Sequence, residues 1–474
     1  MSDTTEHETV AGPQTEPDAR PDARPDARPD TAEEGLEAAA AGTGAPRAQE
    51  RVIDLTAEPA MRLERDALGP LAIPADATFG IHTARAVSAL AISTTRLADY
   101  PDLVSALGAV KQAAARANLD AGVLTAPMAK AIDDAARLLT DDAPEVRPSL
   151  IADPLAGGGS IGVHMNVNEV IANLANRELG HPFGAYQPIH PKQHVSASQS
   201  TADVCHTASR LAVVAGIELL ERVVADLIDS LRDRARAFAS LTTLARTCLQ
   251  DALPAPADLL FAGAASALSR RLDAIAHTAS PLAGVVLGGT VVGTGDGAPE
   301  RYRERVVPHL CEITGRNLFL HADRASALQH SDDLVAVSGE LVAIATVTTK
   351  LAQDLRLLTS GPTGGFGEVI LPHVIEGSSF FGDKRNPAVA ESMIAAGLQV
   401  LGHDASVRGA AMQAELHLNV FDHVAVVNTL DALSLLTEAV ERFNHGCVMG
   451  IELDEARLTE LVAQHRSAGQ EQAP

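Results

Sequence analysis

The chain has no tryptophan, three tyrosines and ten phenylalanines in 474 residues, so aromatic side chains make up only 3% of it. Its core must be packed from Ala, Leu, Val and Ile instead, which suits helices lying on helices. Basic residues are scarce too: 37 Lys and Arg stand against 61 Asp and Glu, a net charge of −24. No basic cluster rises above that field, which excludes nucleic acid as a partner. Cysteine is sparse, and Cys205, Cys248, Cys311 and Cys447 fall in no CxxC or Cys–His spacing. That scatter argues for reduced thiols and against a disulfide framework or a metal site. No run approaches the ~20 uninterrupted apolar residues of a membrane span. The acidic N-terminus also lacks the apolar stretch of a signal peptide. A cytoplasmic protein with neither membrane nor nucleic-acid partners is expected.

What is present divides along the chain. Residues 1–52 are polar, with proline every fourth residue in Pro17-Asp18-Ala19-Arg20 and its two repeats, so a disordered acidic tail is expected. Residues 53–198 read as an N-terminal domain of short helices and loops, ending in a glycine-rich stretch and a helix over Met165–Leu179. From 199 to 450 the elements lengthen. Val213, Ile217, Leu220, Val224, Leu227 and Leu231 step by four and three, and Leu334, Val337, Leu341, Ile344, Thr348, Leu351, Leu355 and Leu358 do the same. Such seams predict long, nearly parallel helices in a central bundle and a mainly α fold. Residues 451–474 are a short remnant with room for one helix, Glu455–Gln464.

The most informative segment is Gly377-Ser378-Ser379-Phe380-Phe381-Gly382-Asp383-Lys384-Arg385-Asn386-Pro387. Two glycines bracket adjacent hydroxyls and a Lys384/Asn386 pair, the groups that would hold a carboxylate under a mobile lid. Three further segments stand out: Gly157–Val170, His194–Asp203, and Arg246-Thr247-Cys248-Leu249-Gln250-Asp251-Ala252-Leu253-Pro254. Together with the lid they resemble, in order and spacing, the signatures of the aspartase/fumarase superfamily, on its aspartase-like branch. Connecting pieces match as well, among them Gly80-Ile81-His82-Thr83 and Leu287-Gly288-Gly289-Thr290, and the likeness runs from about Leu63 to about Leu461.

The resemblance implies an aspartase/fumarase-type fold and a homotetramer whose active sites each draw on three chains. It implies anti β-elimination across a succinyl skeleton to give fumarate, with no cofactor and no metal. Ser378 would be the base, assisted by Lys384. Ser160 and its loop, Ser200, Thr201 and Ser379 would hold the carboxylate that becomes doubly charged, and Lys384, Asn386 and Thr247 the other. His164 falls among the substrate-binding positions. Asn166 and Asn168 read as helix-packing anchors, and His190 and His206 as structural. Relatives carry a small helical C-terminal domain that is expected to be missing here.

Departures gather where the leaving group would sit. Ile161 and Gly162 replace small polar residues, Ala202 and His164 replace asparagines, Cys248 replaces a histidine, and Phe380-Phe381-Gly382 replaces Ile-Met-Pro. Glu391 lacks the histidine it accompanies in fumarase-like members. Loss of ammonium acceptors at Ile161, Ala202 and Cys248 fits a changed leaving group, since a buried cation without acceptors costs several kcal/mol. Nitrite, as in a nitrosuccinate lyase of the superfamily, or a bulkier substituted nitrogen is expected. Aspartate ammonia-lyase is the alternative, and a non-catalytic scaffold a further one.

Overall fold

The computed structural model describes residues 60–471, so the tail expected over 1–52 lies outside the described residues. The first element is a hairpin, β1 (Met61–Asp66) antiparallel to β2 (Gly69–Pro74). Four helices follow: α1 (Ile81–Leu90), α2 (Pro101–Asp120), α3 (Ala126–Thr140) and α4 (Ile161–Glu178). Three of the four exceed the short helices expected in this region, because alanine-rich faces let α2 and α3 pack with their backbones close. At Gly108 of α2 a Cβ would stand 2.6 Å from the Thr140 amide, so glycine is required there.

The bundle begins with α5 (Thr201–Phe238), 38 residues long. It continues through the hairpin β3 (Thr242–Thr247) and β4 (Gln250–Pro256), α6 (Leu259–Ala279), β5 (Gly284–Val285), α7 (Glu300–Thr314), β6 (Phe319–Leu320) and α8 (Arg324–Gln329). Then come α9 (Asp332–Leu358), β7 (Val369–Ile370), α10 (Ala388–Ala411), α11 (Asp422–Gly446), β8 (Glu452–Leu453) and α12 (Glu455–Glu471). β5 pairs in parallel with β6, and β7 antiparallel with β8. The last helix outruns the expected Glu455–Gln464 by seven residues.

Both seams behave as their spacing predicts. The six α5 residues are at most 2% exposed, and those of α9 from Leu334 to Leu355 at most 1%. α9 is also apolar enough to satisfy a membrane-span criterion, yet only 44% of its most apolar stretch is buried within the chain. α10 repeats this two-sidedness, with Met393 and Val400 inside and Leu398 and Leu401 outside, 64% and 54% exposed.

An ion cluster sets the helix directions. Arg210 of α5, 1% exposed, donates through Nε and Nη2 to Asp333 at 2.8 and 2.9 Å, and through Nη1 to Asp422 at 2.6 Å. Those carboxylates lie in the first turns of α9 and α11, so the three helices start at the same end of the bundle. At the other end the β3–β4 hairpin meets the end of α9, where Thr243 Oγ1 donates to Glu368 Oε2 at 3.0 Å and the Glu368 amide donates to Leu358 O.

Candidate active site

The first two motifs meet at the starting end of the bundle. Gly158, Gly159 and Ser160 take positive φ in succession (96°, 60° and 66°), a curl that delivers the chain into α4 at Ile161. Helix α4 thus begins four residues before the expected Met165. No side chain caps it; the Ile161 amide donates back to Gly158 O at 3.3 Å, and the helix opens beside Ser160 without a side-chain partner. Across from it, Ser200 caps α5: its Oγ accepts from the Ala202 amide, and Asp203 accepts from the Ser200 amide at 2.9 Å. Ser160, Thr201 and Ala202 line one small cleft with Cys205 and Val420.

Three buried groups support this end. Asp203 also accepts from the amides of Gly288 (3.1 Å) and Thr290 (3.0 Å), which ties the Leu287–Thr290 segment to the start of α5. Burial raises its pKa to about 6 against those hydrogen bonds. Glu169 accepts from the amides of Gly80, His82 and Thr83 and from Thr83 Oγ1, closing the N-terminus of α1 onto α4. Lys111, wholly buried on α2, contacts His164 Nε2 at 2.7 Å and Gln199 Oε1 at 2.8 Å. Sequence reasoning missed all three roles. A lone lysine within Ala109–Ala115 was the one available signal for Lys111.

His164, expected to touch substrate, is 2% exposed, and its Nδ1 lies 2.8 Å from Thr201 Oγ1. It therefore stands behind Thr201, and burial followed by the Lys111 charge holds its pKa well below the usual histidine range. Asn166 is a packing anchor as expected, accepting from the Ala152 amide and donating to Ser149 O. Asn168 is equally buried, and its Oδ1 has no partner among the described residues. His190 accepts from the amides of Lys192 and Gln193, and His206 bonds Ala327 O, both structural contacts.

The third and fourth motifs lie elsewhere. Thr247 and Cys248 sit exposed at the β3–β4 turn, where Cys248 (φ 52°) and Leu249 (φ 59°) form a tight two-residue connection. Arg246 pairs with Glu368 at 2.7 Å and lies over the Phe366 ring, beside a cavity of about 450 Å³. The lid closes on itself. Asn386 Nδ2 donates to Gly377 O at 2.6 Å, and a Cβ on Gly377 would stand 2.1 Å from Lys384 O. Within it, Ser378 Oγ accepts from the amides of Phe380 and Phe381, both at 3.0 Å. Ser379 and Lys384 are exposed, and Lys384 makes no ion pair among the described residues. At the tip Phe380 and Phe381, 84% and 61% exposed, meet edge to face. Glu391 has found a different partner, Arg356, at 3.2 Å.

Helix length separates the halves. At 1.5 Å per residue the 38 residues of α5 put its far end, Phe238, roughly 57 Å from Thr201, and the 27 of α9 put Leu358 roughly 40 Å from Asp332; the Thr247 turn and the lid follow those far ends in the chain. Ile161 and Ala202 share an end of the bundle, and Cys248 lies at the other. No hydrogen bond or ion pair among the described residues joins the two groups of motifs.

Comparison with known proteins agrees with the motifs. A lyase family model matches residues 69–402. An aspartate ammonia-lyase of Pseudomonas canavaninivorans is 38% identical over 404 residues, covering 85% of this chain and 84% of that protein. A class II fumarate hydratase of Bradyrhizobium diazoefficiens is 36% identical over 408 residues, covering 86% and 85%. Among solved structures, a Brucella melitensis protein described as fumarate lyase:delta crystallin, in a cobalt-bound crystal, superposes with a TM-score of 0.82 at 38% identity over 85% of this chain and 87% of that one. With its motifs, its helical bundle and these relatives all in agreement, the chain belongs to the aspartase/fumarase superfamily and is a carbon–nitrogen lyase.

Proposed function

We propose that this lyase forms fumarate by anti β-elimination of a nitrogen leaving group from a substituted succinate, with Ser378 as the base. The observation that carries the reading is the Ser378 Oγ accepting two backbone N–H groups. Those donors are fixed before substrate arrives, and they stabilise an alkoxide more than a neutral hydroxyl. The alkoxide takes the proton from the carbon beside one carboxylate, which becomes a dianionic aci-carboxylate. The C–N electron pair then leaves with nitrogen as the carbon–carbon double bond forms. Ser160, Thr201 and the uncapped start of α4 are the donors for the dianion, and Lys384 supplies a cation for the other carboxylate.

The leaving group we favour is nitrite or a substituted nitrogen, because Ile161, Ala202 and Cys248 offer an ammonium no oxygen acceptor. The second reading, aspartate ammonia-lyase, has the support of the relative from Pseudomonas canavaninivorans. Fumarate absorbance measured with nitrosuccinate, N-substituted aspartates, L-aspartate and malate separates the two. Fumarate from none of them would overturn both.

Several copies of the chain, a homotetramer in our reading, complete each site. The motifs stand too far apart along α5 and α9 to share a site within one chain, and the outer faces of α9 and α10 remain apolar. Co-expression of Thr201→Val with Ser378→Ala tests this directly. Mixed assemblies should recover activity that neither variant has alone, and complete absence of recovery would count against shared sites.

A further inference from the structure

Lys111 is a buried lysine without a carboxylate partner, a setting that is costly for its charged form. Its nitrogen has two hydrogen-bond partners, His164 Nε2 and Gln199 Oε1, for three protons. Gln199 is oriented independently, because its Nε2 donates to the carbonyls of Val195 and Ala197, both at 3.0 Å, which leaves Oε1 toward the lysine. The titratable groups facing the ammonium are His164 on α4 and Asp203 and Cys205 on α5. Asp203 spends its oxygens on three backbone amides and forms no ion pair with Lys111.

An ammonium donates and has no lone pair, so Nε2 of His164 must accept. The ring proton then resides on Nδ1, which donates to Thr201 Oγ1 2.8 Å away. With that lone pair engaged, the hydroxyl turns its own proton outward, into the cleft it shares with Ser160. A neutral Lys111 releases the chain: its amine gains a lone pair that can accept from Nε2–H, in which case Nδ1 accepts from Thr201 and the hydroxyl offers the cleft only lone pairs, so only the ammonium fixes Thr201 as a donor. The polarity of Thr201 is thus set two residues away.

We infer that Lys111 is a positioning residue whose ammonium, acting through His164, holds Thr201 as a donor to the substrate carboxylate, and that it takes up a proton when a dicarboxylate binds. The inference rests on the functional reading above for the role of Thr201. Burial pushes the Lys111 pKa down to about 7, so the empty site is largely neutral there by pH 8, and an arriving dianion draws the proton back. His164 stays neutral throughout, and Asp203, raised to about 6, is already ionised at pH 8.

Calorimetric titration of the full-length protein with succinate, which has no leaving group, tests this in buffers of different ionisation enthalpy. Uptake in the wild type should be small near about pH 6 and exceed about half a proton per site near about pH 8. Lys111→Met should abolish that rise, and Ser378→Ala should keep it. A flat profile near zero in the wild type overturns the inference whether or not the variants fold. Unchanged uptake in Lys111→Met overturns it as well, by placing the proton elsewhere. Fumarate formation alongside a flat profile would leave the functional reading standing, whereas failure to bind succinate would take both down.

Discussion

Ser378→Ala separates catalysis from folding, because the two costs differ by several-fold at this position. The serine is only half-buried, and its partners are two amides in an exposed loop that water can serve once Oγ is gone. A change of that kind alters folding stability by no more than about 0.5 kcal/mol. A positioned base contributes about 10²–10⁴-fold to a rate, or about 2.7–5.4 kcal/mol at 1.36 kcal/mol per tenfold. The variant should therefore keep its thermal midpoint and its elution volume on size exclusion while fumarate formation at saturating substrate collapses. Steady-state absorbance reads the rate, and a thermal melt reads the fold. Turnover above about a tenth of wild type, a loss under about 1.4 kcal/mol, would mean that Ser378 is not the base. A loss of activity matched by a large fall in melting temperature would refute the premise that the lid serine carries no structural load.

Arg210→Met should destabilise the fold by about 3–5 kcal/mol, read as a lowered unfolding midpoint, since it strands Asp333 and Asp422 at the junction of three helices. The Arg210 charge outweighs burial at Asp422 and holds its pKa down to about 2 from 3.8. The pair's contribution is therefore complete above about pH 4 and fades toward pH 2, so the gap between variant and wild type should narrow in acid, and a gap constant across that range would contradict the pairing. L-Aspartate should be turned over poorly beside nitrosuccinate or a bulkier N-substituted succinate. An aspartate kcat/KM of about 10⁴ M⁻¹s⁻¹ or more would identify an aspartase. Removal of residues 1–52, whose Pro-Asp-Ala-Arg repeats carry no apolar payload, should leave activity and elution volume unchanged. Dissociation on size exclusion would reveal a structural role for that segment.

Much of this protein was legible in the order of its residues, for a definite reason. A seam repeating every three or four positions can bury itself only along a helix, so Val213–Leu231 and Leu334–Leu355 disclosed their helices and inward faces before any fold was known. Ser378, Lys384 and Asn386 could be singled out because one loop holds them together, whereas Ser200, expected on the substrate carboxylate, is found in the structure to cap α5 through residues two and three places on. What long-range packing creates could not be read. Lys111 is an ordinary helical lysine until α4 and the turn before α5 converge on it with His164 and Gln199, 53 and 88 residues away. Arg210 became the bundle's shared ion only when the first turns of α9 and α11, 123 and 212 residues distant, closed over it. The placement of the motifs at opposite ends of the bundle was likewise a matter of length in space: collinear motifs say nothing of distance until 38 residues are laid out as one rod. Local periodicity and short loops act between neighbours in sequence, whereas burial of a charge and the reach of a helix act between neighbours in space, and those are decided only when the chain has folded.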